Sequence, residues 1–119
     1  MMTDQLEALK KQLEKSIEND SIYFKPLKQD GGSYCIQYQG RDRVARIKYV
    51  SRPGKYKCVC DNSNSKRIFE ELSVIYKDCA GFELYEMKKK KAKVLYLDRY
   101  EDMKSFLLLV VWEYIRAVE

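Results

Sequence analysis

The sequence predicts a single α+β domain over residues 1–119, built as an antiparallel sheet with helices packed on one face. Three observations favour this class. Apolar and polar residues alternate in several short runs, as they do in half-buried strands. The connections between the first runs are too short for the crossovers that parallel strands need. Apolar residues with helical spacing occur at both ends of the chain and in its middle.

The predicted elements follow the order α-β-β-β-β-α-β-β-α. A seam of leucines over Leu6–Ile17 predicts the first helix. Apolar residues over Ile68–Cys79 predict the second helix, which Gly81 ends. Asp98 is a capping residue for a third helix that runs to the C-terminus. The predicted strands are Ile22–Lys25, Ser33–Gln39, Arg43–Val50, Tyr56–Cys60, Phe82–Lys88 and Lys93–Asp98.

This element order is similar to that of the secretion-chaperone-like fold, whose members are usually small homodimers. The resemblance lies in topology and implies a chain that pairs with a second copy of itself. The sequence departs from the family in its charge, because the usual members are acidic whereas this chain carries a net charge of +5.

The residue types exclude several kinds of site. The chain holds no histidine, which excludes every catalytic triad that uses one and removes the commonest general base. Its four cysteines include no CxxC pair, and in a reducing compartment we expect them to be buried as small hydrophobes. We therefore predict no metal site and no cofactor. The cysteines are Cys35, Cys58, Cys60 and Cys79.

The apolar runs are too short for targeting or for membrane insertion. The N-terminal stretch MMTDQLEALKKQLEKS carries charge from Asp4 onward, which differs from the pattern of a signal peptide. The longest apolar run, Phe106–Trp112, has seven residues. A membrane-spanning helix needs about 20. We therefore expect a soluble, cytoplasmic protein without a membrane partner.

The positive charge is concentrated in the first strands. Residues 22–60 hold nine basic and two acidic residues, a net +7, within a chain whose net charge is +5. Such a concentration favours a polyanionic partner, although it is also typical of a solvated sheet face. Alternation along the strands places a set of these side chains on one face, with Tyr23 available to stack a base. The predicted binding set for nucleic acid or another acidic partner is Tyr23, Lys25, Arg46, Lys48, Arg52, Lys55 and Lys57.

A second basic feature lies in the stretch FELYEMKKKKAKVLYLD, where four consecutive lysines occupy the tip of the predicted hairpin. Lysines at such a tip repel one another and keep the turn hydrated. They would extend the positive surface if the tip lay beside the basic face, and we include them in the predicted binding set. They are Lys88, Lys89, Lys90 and Lys91.

The triplet Glu86-Met87-Lys88 resembles the Glu-x-Lys element of the PD-(D/E)xK nucleases. In that family, carboxylates from adjacent strands hold Mg²⁺ and the lysine supports the attacking water. The resemblance implies an Mg²⁺-dependent nuclease with Asp61 as the second carboxylate. Cys60 precedes Asp61 where the family has proline, and a helix separates the two elements. We expect a protein that is not an enzyme and keep the nuclease as an alternative.

The predicted C-terminal helix is apolar nearly all round, because Leu108, Leu109 and Trp112 lie off its core stripe. A helix of this kind is buried on more than one side. Either another part of the monomer covers the second side, or a partner does, and the partner could be a second copy in a homodimer. The alternative function that follows is a protein-interaction adaptor, of the chaperone or inhibitor type. Our leading prediction is a non-enzymatic binding protein that uses its basic sheet face.

Overall fold

The computed structural model describes residue 11 and residues 22–27, 32–40, 42–89 and 91–118. Within them, six strands form one antiparallel sheet in the order β1-β2-β3-β4-β6-β5. The α+β fold class predicted from the sequence is confirmed. The predicted helix Leu6–Ile17 lies, apart from Lys11, outside the described residues. The strands are β1 Ile22–Leu27, β2 Ser33–Tyr38, β3 Asp42–Val50, β4 Lys55–Cys60, β5 Glu83–Met87 and β6 Ala92–Leu97.

The structure describes two α-helices. α1, over Ser63–Ser73, lies between β4 and β5, and α2, over Tyr100–Val118, comes after β6. Asn62 caps α1 by accepting a hydrogen bond from the backbone N–H of Asn64 at 2.8 Å. The α-helix ends at Ser73 and a single 3-10 turn continues to Tyr76, so the prediction of a helix to Cys79 was too long. The β-branched pair that begins the 3-10 turn lowers helix propensity at this point.

Both helices pack on the same face of the sheet, where the main core lies. The register aligns Ile47 of β3 with Cys58 of β4, and Cys58 with Leu95 of β6. Phe69 of α1 and Phe106 of α2 meet above this face, with ring centroids 5.1 Å apart at an interplanar angle of 85°. All five side chains are at most 3% exposed. Burial of apolar surface between the helices and this face is therefore the main source of stability.

A β-bulge in β3 changes which face its first residues reach. Ile36 pairs with Ala45, and the next residue of β2, Gln37, pairs with Arg43, so Val44 is the additional residue. The buried Ser65 hydroxyl of α1 donates to the Val44 carbonyl at 3.0 Å. Without the bulge Arg43 would face the core beside Ala45. With it, Arg43 lies on the opposite face.

The chain leaves α1 through Gly81, which has a φ of +77°. A Cβ atom there would overlap the Asp98 carboxylate, so both the backbone conformation and the contact require glycine. The chain then forms β5 and β6, and β6 inserts between β4 and β5. In the described part of the chain, no helix has the length and apolar content needed to span a bilayer.

Candidate functional site on the distal sheet face

We call the side of the sheet opposite α1 and α2 the distal face. Alternation along the strands predicts that the basic side chains of the first four strands face one side of the sheet. The observed strand register places them on this side. Lys25 of β1 lies in one row with Arg46 of β3, through Cys35 between them. Lys57 lies two residues before Val59, which pairs with Arg46. The cations therefore occupy one surface rather than several.

Two lysines oppose each other at the centre of the distal face. Lys48 of β3 pairs directly with Lys57 of β4. Directly opposite residues of antiparallel strands have Cβ atoms about 4.5–5.5 Å apart, and like charges at such positions destabilise the sheet. Lys57 pairs on its other side with Tyr96 of β6. Two cations and an aromatic ring therefore stand side by side across three adjacent strands.

A groove of about 460 Å³ crosses the distal face at this point. It extends from Ser33 of β2 to Met87 of β5, which is four strand spacings, or about 19 Å. Three of its lining side chains are basic. Its described lining is Ser33, Arg46, Ile47, Lys48, Val50, Lys57, Val59, Met87 and Tyr96.

The groove has a basic half and an apolar half. Arg46, Lys48 and Lys57 line it on β3 and β4. Beyond them, a small apolar cluster on the distal face buries Val59, and Tyr96 packs against that cluster together with Met87. The site therefore offers charge and apolar contact side by side.

Tyr85 of β5 fixes the position of Tyr96. The two rings are stacked, with centroids 6.0 Å apart and an interplanar angle of 23°. The pKa of Tyr85 is raised, mainly by hydrogen bonding with the Tyr96 side chain and secondly by burial. Tyr85 is 44% exposed. The pair therefore forms an aromatic wall whose inner member lines the groove.

One carboxylate partly neutralises the basic half. Asp61 Oδ2 lies 3.5 Å from an Nη1 atom of Arg43 and 3.5 Å from an Nη2 atom of Arg46. The Arg46 Nε is buried without a hydrogen-bond partner, and so is the Gln37 Oε1. Each unmet polar atom costs about 1–3 kcal/mol. Among the described residues the third such atom is the Tyr100 hydroxyl, which belongs to the main-core side of the sheet.

The remaining predicted binding residues lie outside the groove. Lys55 is engaged at the start of β4, where its ammonium lies 3.8 Å from a Glu83 carboxylate oxygen and 4.0 Å from one of Asp98. Arg52 is exposed in the turn after β3. Tyr23 is 46% exposed on the edge strand β1, about 19 Å from the strand that carries Tyr96. Tyr23 is therefore not the aromatic side chain of the groove.

The hairpin tip, residues 88–91, stands at the end of the sheet opposite the Arg52 turn, because β5 runs antiparallel to β6 and β6 to β4. Lys88, Lys89 and Lys91 are exposed, and Lys90 lies outside the described residues. None of the three lines the groove. The tip is thus a separate basic region.

The two carboxylates of the nuclease hypothesis are engaged separately. Glu86 Oε1 lies 2.7 Å from the Lys66 ammonium of α1, and Glu86 Oε2 lies 3.6 Å from that of Lys93. The hydrogen bond from Lys66 is the main cause of a lowered pKa of Glu86. This cluster is on the helix side of the sheet, whereas Asp61 contacts arginines of the distal face. Among described residues, no group of three acidic or cysteine side chains is arranged to hold a metal ion.

The four cysteines are unpaired, and three of them are buried. Burial raises the pKa of the Cys35, Cys58 and Cys60 thiols. A raised pKa leaves little thiolate at neutral pH, so these side chains act as small hydrophobes and are poor nucleophiles.

The outer side of α2 carries the other predicted surface. Leu109 is 38% exposed and Trp112 is 40% exposed. Leu108 differs from the prediction, because it is partly buried and packs against the main core. The Tyr76 hydroxyl lies 2.7 Å from the Ser105 hydroxyl, which joins the 3-10 turn to α2 one helical turn before Leu109. The exposed large apolar side chains of α2 are thus Leu109, Trp112 and, at its last residue, Val118.

Sequence reasoning missed Tyr96 and Arg43. Tyr96 could have been found by counting alternate residues along β6, because Leu95 and Leu97 face the core and the residue between them must face away. Arg43 had no such signal, because the bulge at Val44 reverses its side.

No protein-family model matches this chain, and searches of the curated proteins and of the solved structures found no match. The similarity of element order to the secretion-chaperone-like fold therefore stays a prediction.

Proposed function

We propose that this protein binds nucleic acid through the groove of the distal face, as a binding protein rather than an enzyme. The observation that carries the proposal is the direct pairing of Lys48 with Lys57 in a groove that Arg46 and Tyr96 also line. Three cations within one groove are suited to consecutive phosphates. A phosphate bound at this point would contact both opposed lysines.

Nucleic acid fits the groove better than an acidic protein surface does. An acidic protein would satisfy the cations alone, whereas the groove continues into an apolar half with an aromatic wall. Proteins that bind nucleic acid combine a basic groove with aromatic side chains in this way. The binding energy would come largely from counterions released from the phosphates.

The test compares two double variants with the same change of charge. Lys48→Gln/Lys57→Gln removes the opposed pair, and Lys88→Gln/Lys89→Gln removes two exposed lysines of the hairpin tip. Fluorescence anisotropy with a labelled oligonucleotide is measured between low and physiological salt. We expect the groove variant to reduce the slope of log affinity against log salt by about two, because each lost phosphate contact removes about one unit. We expect the tip variant to reduce it by less than one.

Equal slopes for the two variants would show that charge alone, and not the groove, holds the ligand. If the wild type shows no binding at low salt, nucleic acid is excluded and an acidic protein partner is the remaining interpretation. Adding Mg²⁺ to the same samples tests the expected lack of catalysis. Cleavage of the oligonucleotide that disappears in Glu86→Gln would support the nuclease alternative instead.

A second candidate function is the protein-interaction adaptor, favoured by the exposure of Leu109 and Trp112 on α2. The expected homodimer would use the same side chains. Light scattering at high protein concentration tests this directly. A dimer mass that falls to the monomer mass in Trp112→Ala, with an unchanged circular dichroism spectrum, supports it. A monomeric wild type removes the homodimer.

A further inference from the structure

The two halves of the groove differ in the chemistry that they can recognise. Arg46, Lys48 and Lys57 can contact anionic oxygens, whereas Met87 and the ring of Tyr96 offer apolar and aromatic surface. Both halves belong to one continuous groove of about 460 Å³. A ligand that carries a phosphate and an accessible aromatic ring close together therefore suits both halves.

We infer that the groove binds an unpaired nucleotide of a single strand. Its phosphates would lie against Arg46, Lys48 and Lys57, and its base against Tyr96. This inference rests on the proposed function and specifies the form of nucleic acid that the site takes.

A duplex fits the groove poorly for a physical reason. In a duplex the bases are stacked inside and the outer surface presents phosphates and sugars, so a flat approach to the groove would set phosphates against Tyr96 and Met87. Unpaired bases can leave the stack and lie on aromatic side chains. The apolar half therefore discriminates between the two forms, and the basic half does not.

The aromatic wall is prepared for stacking before a ligand arrives. Tyr85 stacks against Tyr96, with ring centroids 6.0 Å apart, and this contact restricts the Tyr96 ring. A side chain already held in place loses little conformational freedom when a base packs on it. Val59 and Met87 provide the apolar surroundings of the ring.

The experiment measures affinities for a single strand and for a blunt duplex of equal length, by anisotropy at one fixed salt concentration. Oligo(dT) and oligo(U) serve as single-strand probes and distinguish DNA from RNA. We expect Tyr96→Leu to weaken single-strand binding about tenfold, because one stacked base contributes on that order. We expect its duplex binding to be unchanged. Tyr23→Leu is the matched control, since it makes the same substitution on the same face at the far edge strand, and we expect less than a twofold effect.

The outcomes separate the inference from the proposed function. Suppose that Tyr96→Leu weakens single-strand and duplex binding equally, or weakens neither, while Lys48→Gln/Lys57→Gln still weakens both. In that case the inference of a stacking site is wrong and the proposal of a basic groove stands. If no salt-dependent binding is found with either probe, the proposed function itself fails.

A second variant covers the case in which Tyr96→Leu does not fold. Trp112 is the single tryptophan of the chain, so Tyr96→Trp combined with Trp112→Phe places the only indole in the groove. We expect a single strand to quench its fluorescence through stacking and a duplex to leave it unchanged. Anisotropy that shows single-strand binding without quenching would overturn the inference.

Discussion

The groove and the hairpin tip are both rich in lysine, and they differ in what surrounds the charge. At the tip, Lys88, Lys89 and Lys91 are exposed, so water and salt screen their repulsion over about 8 Å. In the groove, Lys48 and Lys57 are half-buried and directly opposed on adjacent strands. Charges that are partly removed from water repel more strongly at the same distance. The lysines of the groove therefore interact with each other in a less screened environment than those of the tip do.

This difference shows that the density of charge along a chain is a poor guide to a binding site. Four consecutive lysines are the most visible basic feature of the sequence, but the three that the structure describes do not line the groove. The groove lysines are nine positions apart in sequence and become neighbours only through the register of β3 and β4. Two basic residues that the register sets opposite each other, beside a groove and an aromatic ring, are better evidence for a ligand.

Among the substitutions that test the difference between groove and tip, we expect the largest effect from removing the carboxylate beside the groove. Asp61 lies 3.5 Å from both Arg43 and Arg46 and would compete with a bound phosphate for them. We expect Asp61→Asn to strengthen oligonucleotide binding about fivefold at low salt, because one charge interaction at this range in water is about 1 kcal/mol. Asp78→Asn, which makes the same change at an exposed position after the 3-10 turn, should have little effect.

Isothermal titration calorimetry with oligo(dT) at two salt concentrations measures both affinities. If Asp61→Asn and Asp78→Asn strengthen binding to the same extent, the gain comes from net charge alone. Asp61 would then not compete with the oligonucleotide for Arg43 and Arg46.

The outline of this arrangement could be predicted from the sequence. Alternation in the first four strands gives the side of each residue, because Ile47 and Cys58 must be buried and their neighbours must then face away. The turn signals give an antiparallel meander, and the structure has one. These predictions depend on local chemistry that each segment carries by itself.

The rest depends on contacts that no segment carries alone. The bulge at Val44 is held by a hydrogen bond from Ser65 of α1, and it brings Arg43 to the distal face. The insertion of β6 between β4 and β5 places Tyr96 beside Lys57, 39 positions away in sequence. The predicted aromatic residue, Tyr23, lies on the same face but on the edge strand β1, far from the groove, because alternation along a strand does not determine the order of strands in the sheet.

A smaller effect is expected on stability from the opposed pair itself. Lys57→Glu replaces a like pair with an opposite pair opposite Lys48, and we expect it to raise the free energy of unfolding by about 0.5 kcal/mol. Oligonucleotide binding should be lost in the same variant. Lys89→Glu at the tip should change the free energy of unfolding by less, because its charge is exposed.

Urea unfolding followed by circular dichroism measures both variants. A destabilised Lys57→Glu would mean that the lysine pair costs the fold nothing, and the contrast between groove and tip would disappear.

The smallest expected effect concerns the base of the hairpin tip, where a basic side chain forms an ion pair with an acidic one. Lys66 donates to Glu86 at 2.7 Å, and this contact lowers the pKa of Glu86 in the folded state. A carboxylate with a lowered folded pKa stabilises the fold above its unfolded pKa of about 4.3. That contribution is lost as the pH falls through the folded pKa. We therefore expect Glu86→Gln to be slightly less stable than the wild type at pH 7, and the difference to vanish at strongly acidic pH.

Urea midpoints from pH 7 to pH 3 test this for the wild type, Glu86→Gln, Lys66→Gln and the double variant. The coupling between the two positions should be present at pH 7 and absent at the acidic end, because a protonated Glu86 no longer attracts the Lys66 ammonium. A difference that does not change with pH would mean that Glu86 contributes through packing. The tip would then be joined to α1 by contact alone, and the paired charges at its base would contribute as little to stability as its exposed lysines.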